Sequence, residues 1–405
     1  MRSRASAGRP KRRAVGGVWL IVSCGGFGPE SEECHMQSAA FVMSGEGTGP
    51  GRLALDEIAV AAPHKGEVLV EVRACGVCHT DLHVLNGEVG FPAPAVLGHE
   101  VSGIVRGVGP GVEGLEEGQR VACSFIMPCR SCRHCERGNE DLCERFFEDN
   151  RLAGRLYDGT TRYSRGEEEV AMYSMGGHSR LCVVPAGGVF PLPDGVDLES
   201  AAVLGCSLFT GYGAVHTEGE VGPGDSVAVI AAGGVGLSII HLACAAGAEH
   251  VVAVDVDDAK LELALAMGAT HAVNSSEVDP VEEVTRIVGR GVDVAFEALG
   301  HKATVAQAIG MLDAGERAVL AGIAPPDHHI DTQIAATVRR KVKIHGSFGA
   351  TASVVMPKLI ELAAEGKLDL DTLITDRFGF DEIPLAYERL RDRKIAGRGL
   401  VVYDG

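Results

Sequence analysis

The pattern of apolar and polar positions divides the chain into two regions with different predicted secondary structure. Between residues 53 and 123, short runs rich in Val alternate with glycine turns, as in GEVLVEVRACGVC (66–78), VLGHEVSGIVRGVG (96–109) and EGQRVAC (117–123). Short β-rich runs bounded by turn residues are typical of strands. This region is therefore predicted to form an all-β or α+β domain.

From residue 225 onward, apolar strand-like runs alternate with helical patterns. The predicted strands are SVAVIAA (226–232), HVVAVDV (250–256), HAVN (271–274), VDVAFEAL (292–299) and RAVLAGI (317–323). The predicted helices between them are LSIIHLACAAGA (237–248), DDAKLELALAMGA (257–269), VEEVTRIVG (281–289) and KATVAQAIGML (302–312). This alternation predicts a parallel, doubly wound α/β sheet. A helix (356–367) and a terminal strand, RGLVVY (398–403), follow.

Composition supports two globular domains and argues against a membrane or nucleic-acid partner. The 405 residues are 46% apolar and 23% charged, with a net charge of −18, whereas phosphate binding needs clustered Lys and Arg. Residues 227–248 carry no formal charge over a length that could span a bilayer. Four glycines and His241 within that run favour a buried strand, a turn and an apolar helix instead.

The first 35 residues form a basic arm with six Arg or Lys before residue 14 and no acid before Glu30. Three interpretations are open: an export or lipoprotein signal ending near Cys24, an unstructured arm, and a mis-started extension ahead of Met36 as the working initiator. We favour the third, because the apolar run is short and interrupted by glycine. The protein is then expected in the cytoplasm.

Four cysteines lie close together in a stretch that has no apolar periodicity. Cys129, Cys132, Cys135 and Cys143 occur in PCRSCRHCERGNEDLC, in the pattern C-x-x-C-x-x-C-(x)7-C. Disulfides at these spacings would close strained short loops, whereas a tetrahedral four-thiolate zinc site accommodates them. We predict a structural zinc site in the loop 128–143, which does no chemistry of its own.

The sequence AAGGVG (231–236) occupies a predicted strand-to-helix turn of the dinucleotide-binding type. Gly233, Gly234 and Gly236 would let a pyrophosphate approach the backbone at the helix N-terminus. Asp255 follows Gly236 by nineteen residues, at the end of the next strand, where a carboxylate hydrogen-bonds an adenosine ribose. Because a carboxylate there repels the extra phosphate of NADP, NAD is the predicted cofactor.

A second metal site is predicted from Cys78, His99 and Cys206, each beside a glycine turn that ends an apolar run. Two thiolates and one imidazole leave one position of a zinc tetrahedron open, as in catalytic sites. A zinc ion held in that way polarises a bound oxygen and lowers the pKa of an alcohol or water. The expected complement is two zinc ions per subunit, one catalytic and one structural.

Five motifs in this order resemble the zinc-dependent medium-chain alcohol dehydrogenases: GVCHTDLH, LGHEVSGIV, PCRSCRHC, LGCSLFTGYG and the GGVG turn. The resemblance implies a GroES-like catalytic domain (36–207), a Rossmann NAD-binding domain (208–345) and a C-terminal return to the catalytic domain (346–405). The chain departs from the family at Ala231, where the family has the first glycine of the turn.

The resemblance also implies roles for residues beside the catalytic zinc. Cys78, His99 and Cys206 match the zinc ligands, with Asp81 and Glu100 as nearby carboxylates. Thr80 matches the hydroxyl that takes the alcohol proton, and His83 the imidazole that passes it to solvent.

Further matches imply contacts with the cofactor. His79 and Arg398 match pyrophosphate contacts, and Thr210 and Val235 match residues that touch the nicotinamide. Lys260 matches a contact to the adenosine ribose.

The substrate pocket and the oligomeric state follow from the same resemblance. Cys206 follows Cys143 by sixty-three positions, so the chain keeps the long loop of the liver-type homodimers. A small-molecule primary alcohol, medium-chain, allylic or aryl, and its aldehyde are the expected partners. By position, the pocket wall is expected to include Val89, Phe125, Met172, Tyr173 and Ile323.

Two other functions are alternatives to alcohol oxidation. A thiol-dependent formaldehyde dehydrogenase that uses glutathione would carry Arg and Asp where this chain has Phe147 and Val89, although Arg145 and Arg151 lie nearby in the sequence. A non-enzymatic protein that binds NAD and zinc would be expected to lose a catalytic ligand or the proton relay, and this chain has lost none.

Overall fold

The computed structural model describes residues 11–15, 18–24, 34–45, 50–324, 328–330 and 332–404. The strands in its β-rich part are β1 (Lys11–Val15), β2 (Val18–Cys24), β3 (Cys34–Ser44), β4 (Arg52–Ala61), β5 (Glu67–Val77), β6 (Ala95–Val96), β7 (Val101–Val108), β8 (Arg120–Cys123), β9 (Tyr163–Arg165), β10 (Glu168–Met172), β11 (Leu181–Pro185) and β12 (Val189–Pro191). The strands that follow are β13 (Ser226–Ile230), β14 (His250–Asp255), β15 (His271–Asn274), β16 (Val292–Glu297), β17 (Leu312–Leu320), β18 (Lys343–Gly346), β19 (Ile374–Gly379) and β20 (Arg398–Val402).

Most helices lie in the second half of the chain. The α-helices are α1 (His79–Leu85), α2 (Ser207–Tyr212), α3 (Gly234–Ala245), α4 (Asp258–Ala266), α5 (Pro280–Val288), α6 (Lys302–Met311), α7 (Ile334–Arg340), α8 (Ala352–Ala364), α9 (Leu370–Leu373) and α10 (Ile383–Arg391). Short 3-10 helices span Cys135–Arg137, Glu140–Leu142, Ala186–Gly188, Ser200–Gly205 and Phe380–Glu382, and π-helices span Phe146–Leu152 and Gly213–Glu218. Among the described residues, no helix has both the length and the hydropathy needed to cross a bilayer.

The β-rich domain consists of two sheets. In the first, the order is β1-β2-β3-β4-β9-β10-β6, and β6 also pairs with β3, which closes five of the strands into a ring. The second has the order β12-β8-β7-β5-β20-β19, with β11 also paired to β5. This architecture is the predicted GroES-like domain, and the ring leaves its five strands without an open end strand.

The second domain is built on a six-stranded sheet in the order β15-β14-β13-β16-β17-β18, with every pairing parallel. Its central strands are apolar on both faces, and all five residues of β13 are buried, as expected where helices cover both sides. The predicted strands and helices of this region are all present, so the doubly wound α/β prediction is confirmed. The uncharged run at 227–248 is likewise a strand, a turn and a helix.

Local sequence signals set the bounds of the helices in this domain. α5 begins after Asp279, whose side chain accepts hydrogen bonds from the N–H groups of Val281 and Glu282 at 2.9 and 3.0 Å, and it ends at Gly289 with φ +80°. An N-terminal Asp, a first-turn proline and a left-handed glycine are the usual start and stop signals. The helix is thereby fixed in length by its own sequence.

The C-terminal strand β20 lies in a sheet of the β-rich domain. β20 pairs antiparallel with β5, with Gly399 opposite Val77. Cys78 follows β5 directly, and Arg398 begins β20. The pairing therefore brings a residue from the end of the chain beside a candidate metal ligand.

The N-terminal arm differs from the expected unstructured segment where the structure describes it. The backbone of β1 pairs antiparallel with β2, and β2 pairs antiparallel with β3. The interpretation that residues 1–35 are a mis-started extension stays a prediction, and residues 1–10, 16–17 and 25–33 lie outside the described residues.

Candidate metal centre and cofactor turn

Four metal-binding side chains converge at the junction of the β-rich domain and the first helices. One ligand atom from each of Cys78, His99, Glu100 and Cys206 lies within 4.8 Å of all the others, and all four residues are buried. Cys78 precedes α1, Cys206 precedes α2, and His99 follows Gly98, which has φ +95°. Two helix starts and one glycine turn therefore carry the predicted ligands.

The charges around His99 suit a divalent cation. His99 Nδ1 lies 3.0 Å from Asp81 Oδ2, and Asp81 Oδ1 accepts a hydrogen bond from Gly98 N at 3.0 Å. Burial disfavours a charged imidazole, but the negative charges of Asp81 and of the Cys78 thiolate outweigh burial and raise the pKa of His99 to about 10. A carboxylate behind a ligating histidine is the usual way to fix its ring orientation. This donor set, with two thiols and an oriented imidazole, fits zinc.

Glu100 connects the cluster to the cofactor turn through Arg398. Arg398 Nε donates to Glu100 Oε2 at 3.0 Å, Nη2 also contacts Oε1, and both side chains are buried. A Cβ atom on Gly76 would lie 2.2 Å from Glu100 Oε2, and one on Gly234 would lie 3.0 Å from Arg398 Nη1. Glycine at both positions makes room for this ion pair. The predicted pyrophosphate contact of Arg398 stays a prediction.

The second cluster contains the four cysteines of the loop 128–143. One Sγ atom from each of Cys129, Cys132, Cys135 and Cys143 lies within 4.8 Å of the other three. Cys143 Sγ also accepts a hydrogen bond from Cys129 N at 3.3 Å. Four thiols at this separation, in a loop with little apolar surface, match a closed tetrahedral thiolate site.

The glycines of the turn between β13 and α3 differ in the space around them. A Cβ atom on Gly236 would lie 1.9 Å from Ala231 O, whereas one on Gly233 would have no neighbour within 4 Å. Gly236 therefore allows close helix packing, and Gly233 leaves open space at the start of α3. Asp255, at the end of β14, accepts hydrogen bonds from Ala232 N and Val256 N, both at 2.8 Å, and so holds the two loops together.

Ala231 adopts φ +76°, a left-handed conformation that costs a residue with a Cβ atom about 1–2 kcal/mol. Glycine would remove this cost, but its greater freedom in the unfolded chain offsets part of the benefit. We therefore expect Ala231→Gly to raise the free energy of unfolding by about 0.5–1 kcal/mol. Urea denaturation measures the shift. The matched control is Ala232→Gly, since Ala232 is buried in the same turn. This change should lower the free energy of unfolding by about 1 kcal/mol. If both changes destabilised the protein equally, the left-handed conformation of Ala231 would not be a source of strain.

The remaining predicted site residues lie on the helices α1, α2, α3 and α4. Thr80 Oγ1 is 3.4 Å from Cys78 Sγ, and the partly exposed His83 contacts Glu88 through Nδ1. Thr210 is buried in α2, one turn after Cys206. His79 is exposed at the start of α1, Val235 lies in the first turn of α3, and Lys260 lies in α4. Their roles stay predictions.

Aromatic rings surround the buried face of the metal cluster. The His99 ring lies 6.1 Å from the ring of Phe125 and 6.2 Å from that of Tyr173, both in edge-to-face geometry. Met172 is fully buried beside Tyr173 in sequence, whereas Val89 and Ile323 are exposed. Three predicted wall residues are thus buried and two are at the surface.

Sequence reasoning missed several residues of this site. Phe91 packs against Tyr173 with ring centroids 4.9 Å apart, and Phe348 packs against Phe125 at 5.4 Å. Each lies far from its partner in sequence, so short-range patterns carry no signal for the contact. The Glu100–Arg398 pair was missed for the same reason.

A β-rich domain with two thiol-containing clusters, joined to a parallel dinucleotide-type sheet, defines a metal-dependent dehydrogenase. Residues 64–194 match the model of the alcohol dehydrogenase GroES-like domain, and residues 234–365 match that of the zinc-binding dehydrogenases. The chain belongs to the zinc-containing medium-chain alcohol dehydrogenases, a family of NAD(P)-dependent enzymes.

Individual relatives cover most of the chain. An NDMA-dependent alcohol dehydrogenase of Amycolatopsis methanolica is 32% identical over 86% of this chain and 95% of its own length. An S-(hydroxymethyl)glutathione dehydrogenase of Escherichia coli is 34% identical over 85% and 95%, respectively. The structure of a benzyl alcohol dehydrogenase from Acinetobacter calcoaceticus superposes with a TM-score of 0.84 at 29% identity, covering 91% of this chain and 99% of that one.

Proposed function

We propose that this enzyme oxidises a primary alcohol, medium-chain, allylic or aryl, to its aldehyde with NAD as the hydride acceptor. The observation that carries the proposal is the placement of the metal cluster against an aromatic wall, with Phe125 and Tyr173 both within 6.2 Å of the His99 ring centroid. Such a wall favours an apolar alcohol whose hydroxyl reaches the cluster. The similarity to a benzyl alcohol dehydrogenase supports the same choice.

The residues present fit two zinc ions. Cys78, His99 and Cys206 would hold the catalytic ion, and the four cysteines of the loop 128–143 would hold the structural one. When bound, the catalytic zinc supplies Lewis-acid polarisation of the alcohol oxygen, and NAD accepts the hydride.

The chain's own groups position the substrate and remove its proton. Thr80 Oγ1 lies 3.4 Å from Cys78 Sγ, and this proximity supports the proposal that its hydroxyl accepts the alcohol proton. His83 is partly exposed and contacts Glu88 through Nδ1, which supports its proposed role in passing that proton to solvent. The buried rings of Phe125 and Tyr173 exclude water from the reacting carbon.

Asp255 supports NAD rather than NADP, because its negative charge lies at the end of β14 beside the glycine turn. We expect Asp255→Asn, which keeps the shape and removes the charge, to lower kcat/KM for NAD and raise it for NADP. The ratio of kcat/KM for NAD to kcat/KM for NADP should fall by about tenfold to a hundredfold, which is the effect expected for one charged hydrogen bond. Initial rates with each cofactor measure it, and the thermal midpoint checks the fold. An unchanged ratio would contradict this role.

A panel of substrates tests the proposed reaction. Zinc-loaded protein and NAD are mixed with ethanol, hexenol or benzyl alcohol, and NADH formation is followed. Formaldehyde with and without glutathione is the comparison, because a relative acts on S-(hydroxymethyl)glutathione. Faster turnover of hexenol and benzyl alcohol supports the proposal. NADH formation only from the mixture of thiol and formaldehyde would assign the enzyme to thiol-dependent formaldehyde oxidation.

We also propose a cytoplasmic homodimer. The apolar side chains of Ile334 and Val338 on α7 are 81% and 69% exposed. α7 precedes β18, which is an edge strand of the parallel sheet. Two exposed apolar side chains beside an open strand edge are a suitable surface for a second subunit. Sedimentation equilibrium of the purified protein tests the assembly, and a monomer would contradict it.

A further inference from the structure

The carboxylate of Glu88 contacts the imidazole of His83 at the end of the helix that begins at the metal cluster. The contact is made through His83 Nδ1, and the two side chains are 47% and 35% exposed, respectively. The helix, α1, starts directly after Cys78 and ends at Leu85. An acid is therefore held against the ring that has the proposed role of passing a proton to solvent.

The way in which α1 ends explains why these two side chains meet. Gly87 has φ +74°, and its N–H group donates to Val84 O at 3.0 Å. Glu88 N donates to His83 O at 2.9 Å. Two such hydrogen bonds around a left-handed glycine form a Schellman motif, in which the second residue after the C-cap meets the third residue before it. That contact is often apolar, whereas here it joins a carboxylate to an imidazole.

A second set of hydrogen bonds holds the Glu88 carboxylate in place. Its Oε1 accepts a hydrogen bond from Asn86 Nδ2 at 3.0 Å, and Asn86 Oδ1 accepts one from Arg391 Nη2 at 3.3 Å. Hydrogen bonds from His83 and Asn86 lower the pKa of Glu88 from its ordinary value, so the group is a carboxylate at neutral pH. One carboxylate oxygen is thus bound by Asn86 while the other contacts the ring.

Three titratable or charged groups lie around the His83 ring: Glu88, His79 and Arg391. His79 lies one turn earlier in α1, and Arg391 lies on α10 and reaches Asn86. Among the described residues, Glu88 is the carboxylate that pairs with the ring. A carboxylate at Nδ1 keeps the proton of a neutral imidazole on that nitrogen, so Nε2 has the free lone pair that can accept another proton.

We propose that Glu88 is a positioning residue of the proton relay, because it fixes the tautomer of His83 and stabilises the ring after the ring has accepted a proton. The inference rests on the proposed function, in which Thr80 accepts the proton of the alcohol. The Thr80 hydroxyl then gives up its own proton, which passes to His83 Nε2. The ring becomes a cation beside the Glu88 carboxylate, and one of its protons leaves to water. Glu88 keeps its negative charge throughout.

The test is the pH profile of kcat for benzyl alcohol and NAD in the zinc-loaded wild type and in Glu88→Gln. The amide keeps the size of the side chain and removes the charge that stabilises the cationic ring. The acid limb of the profile should therefore move to lower pH by about 0.2–0.7 of a pH unit, the usual effect of an exposed ion pair. The maximum kcat should fall by up to about fivefold, because the ring is then a weaker base.

Three further variants separate this effect from a structural one. Glu113→Gln removes an exposed carboxylate from the loop between β7 and β8, and it should leave the profile unchanged. Glu88→Asp keeps the charge on a shorter side chain, so its acid limb should lie between those of wild type and Glu88→Gln. The double variant His83→Gln/Glu88→Gln should have the same kcat as His83→Gln alone, because Glu88 acts through the ring.

Two results would overturn the role of Glu88 and leave the proposed function standing, provided that the wild type oxidises benzyl alcohol. One is an acid limb at the same pH in wild type and Glu88→Gln. The other is an equal loss of kcat from Glu88→Gln with and without His83, since Glu88 would then act independently of the ring. No oxidation of benzyl alcohol by the wild type would overturn both the role of Glu88 and the proposed function.

Discussion

Cys206→Ser is expected to lower kcat/KM for benzyl alcohol by about a thousandfold or more, because polarisation of the alcohol oxygen is worth several kcal/mol. Cys206 supplies one of the two thiols in the buried cluster with Cys78 and His99. Serine is a poor ligand for zinc, which prefers thiolate and imidazole donors. Metal analysis should therefore find about one zinc ion per chain in the variant and two in the wild type.

Cys244→Ser is the control for this prediction. Cys244 is a free thiol on α3 that belongs to neither metal cluster among the described residues. Its replacement should leave both the zinc content and kcat/KM close to the wild-type values. Full activity in Cys206→Ser would contradict the assignment of the catalytic centre, whatever the zinc content.

Arg162→Met is expected to lower the free energy of unfolding by about 3–5 kcal/mol, the usual cost of leaving a buried charge without its partner. Arg162 is 2% exposed and donates to Glu67 from Nε at 2.8 Å and from Nη2 at 2.6 Å. Nη2 also donates to Asp158 at 2.6 Å. These contacts fasten the long loop after Cys143 to the start of β5.

Two further variants serve as controls for the predicted loss of stability in Arg162→Met. Arg165→Met removes an exposed arginine that pairs with Asp56 and Glu168, and it should cost less than about 1 kcal/mol. The double variant Glu67→Met/Arg162→Met should be more stable than Arg162→Met alone, because neither buried charge remains. Urea denaturation of the four proteins measures the differences. A cost for Arg162→Met equal to that of Arg165→Met would contradict the account.

The sequence predicted the parallel sheet well because its signals are local. Each strand is a short apolar run, and some helices have a side-chain cap, such as Asp279 before α5 and Asp257 before α4. The turn at 231–236 joins a strand and a helix that are adjacent in sequence. The spacing of the four cysteines is local too, and so was sufficient to predict that they cluster.

Contacts between distant residues were predicted less completely. The ion pair of Glu100 and Arg398 joins residues that are 298 positions apart. The aromatic neighbours Phe91 and Phe348 were also missed, because each ring meets a partner that is distant in sequence. The pairing of β1 with β2, and of β2 with β3, lies in an arm whose composition suggested no regular structure. Local pattern alone fixes neither which strands pair nor which rings meet.

Hydride transfer from the carbinol carbon to the nicotinamide can be followed by deuterium labelling. The zinc-loaded enzyme is incubated with NAD and benzyl alcohol that carries two deuterium atoms on its carbinol carbon, and the reduced cofactor is analysed by mass spectrometry. We predict one deuterium in each molecule of reduced cofactor, and no reduced cofactor above background with Cys206→Ser. Reduced cofactor without deuterium, or none from the wild-type enzyme, would contradict the account.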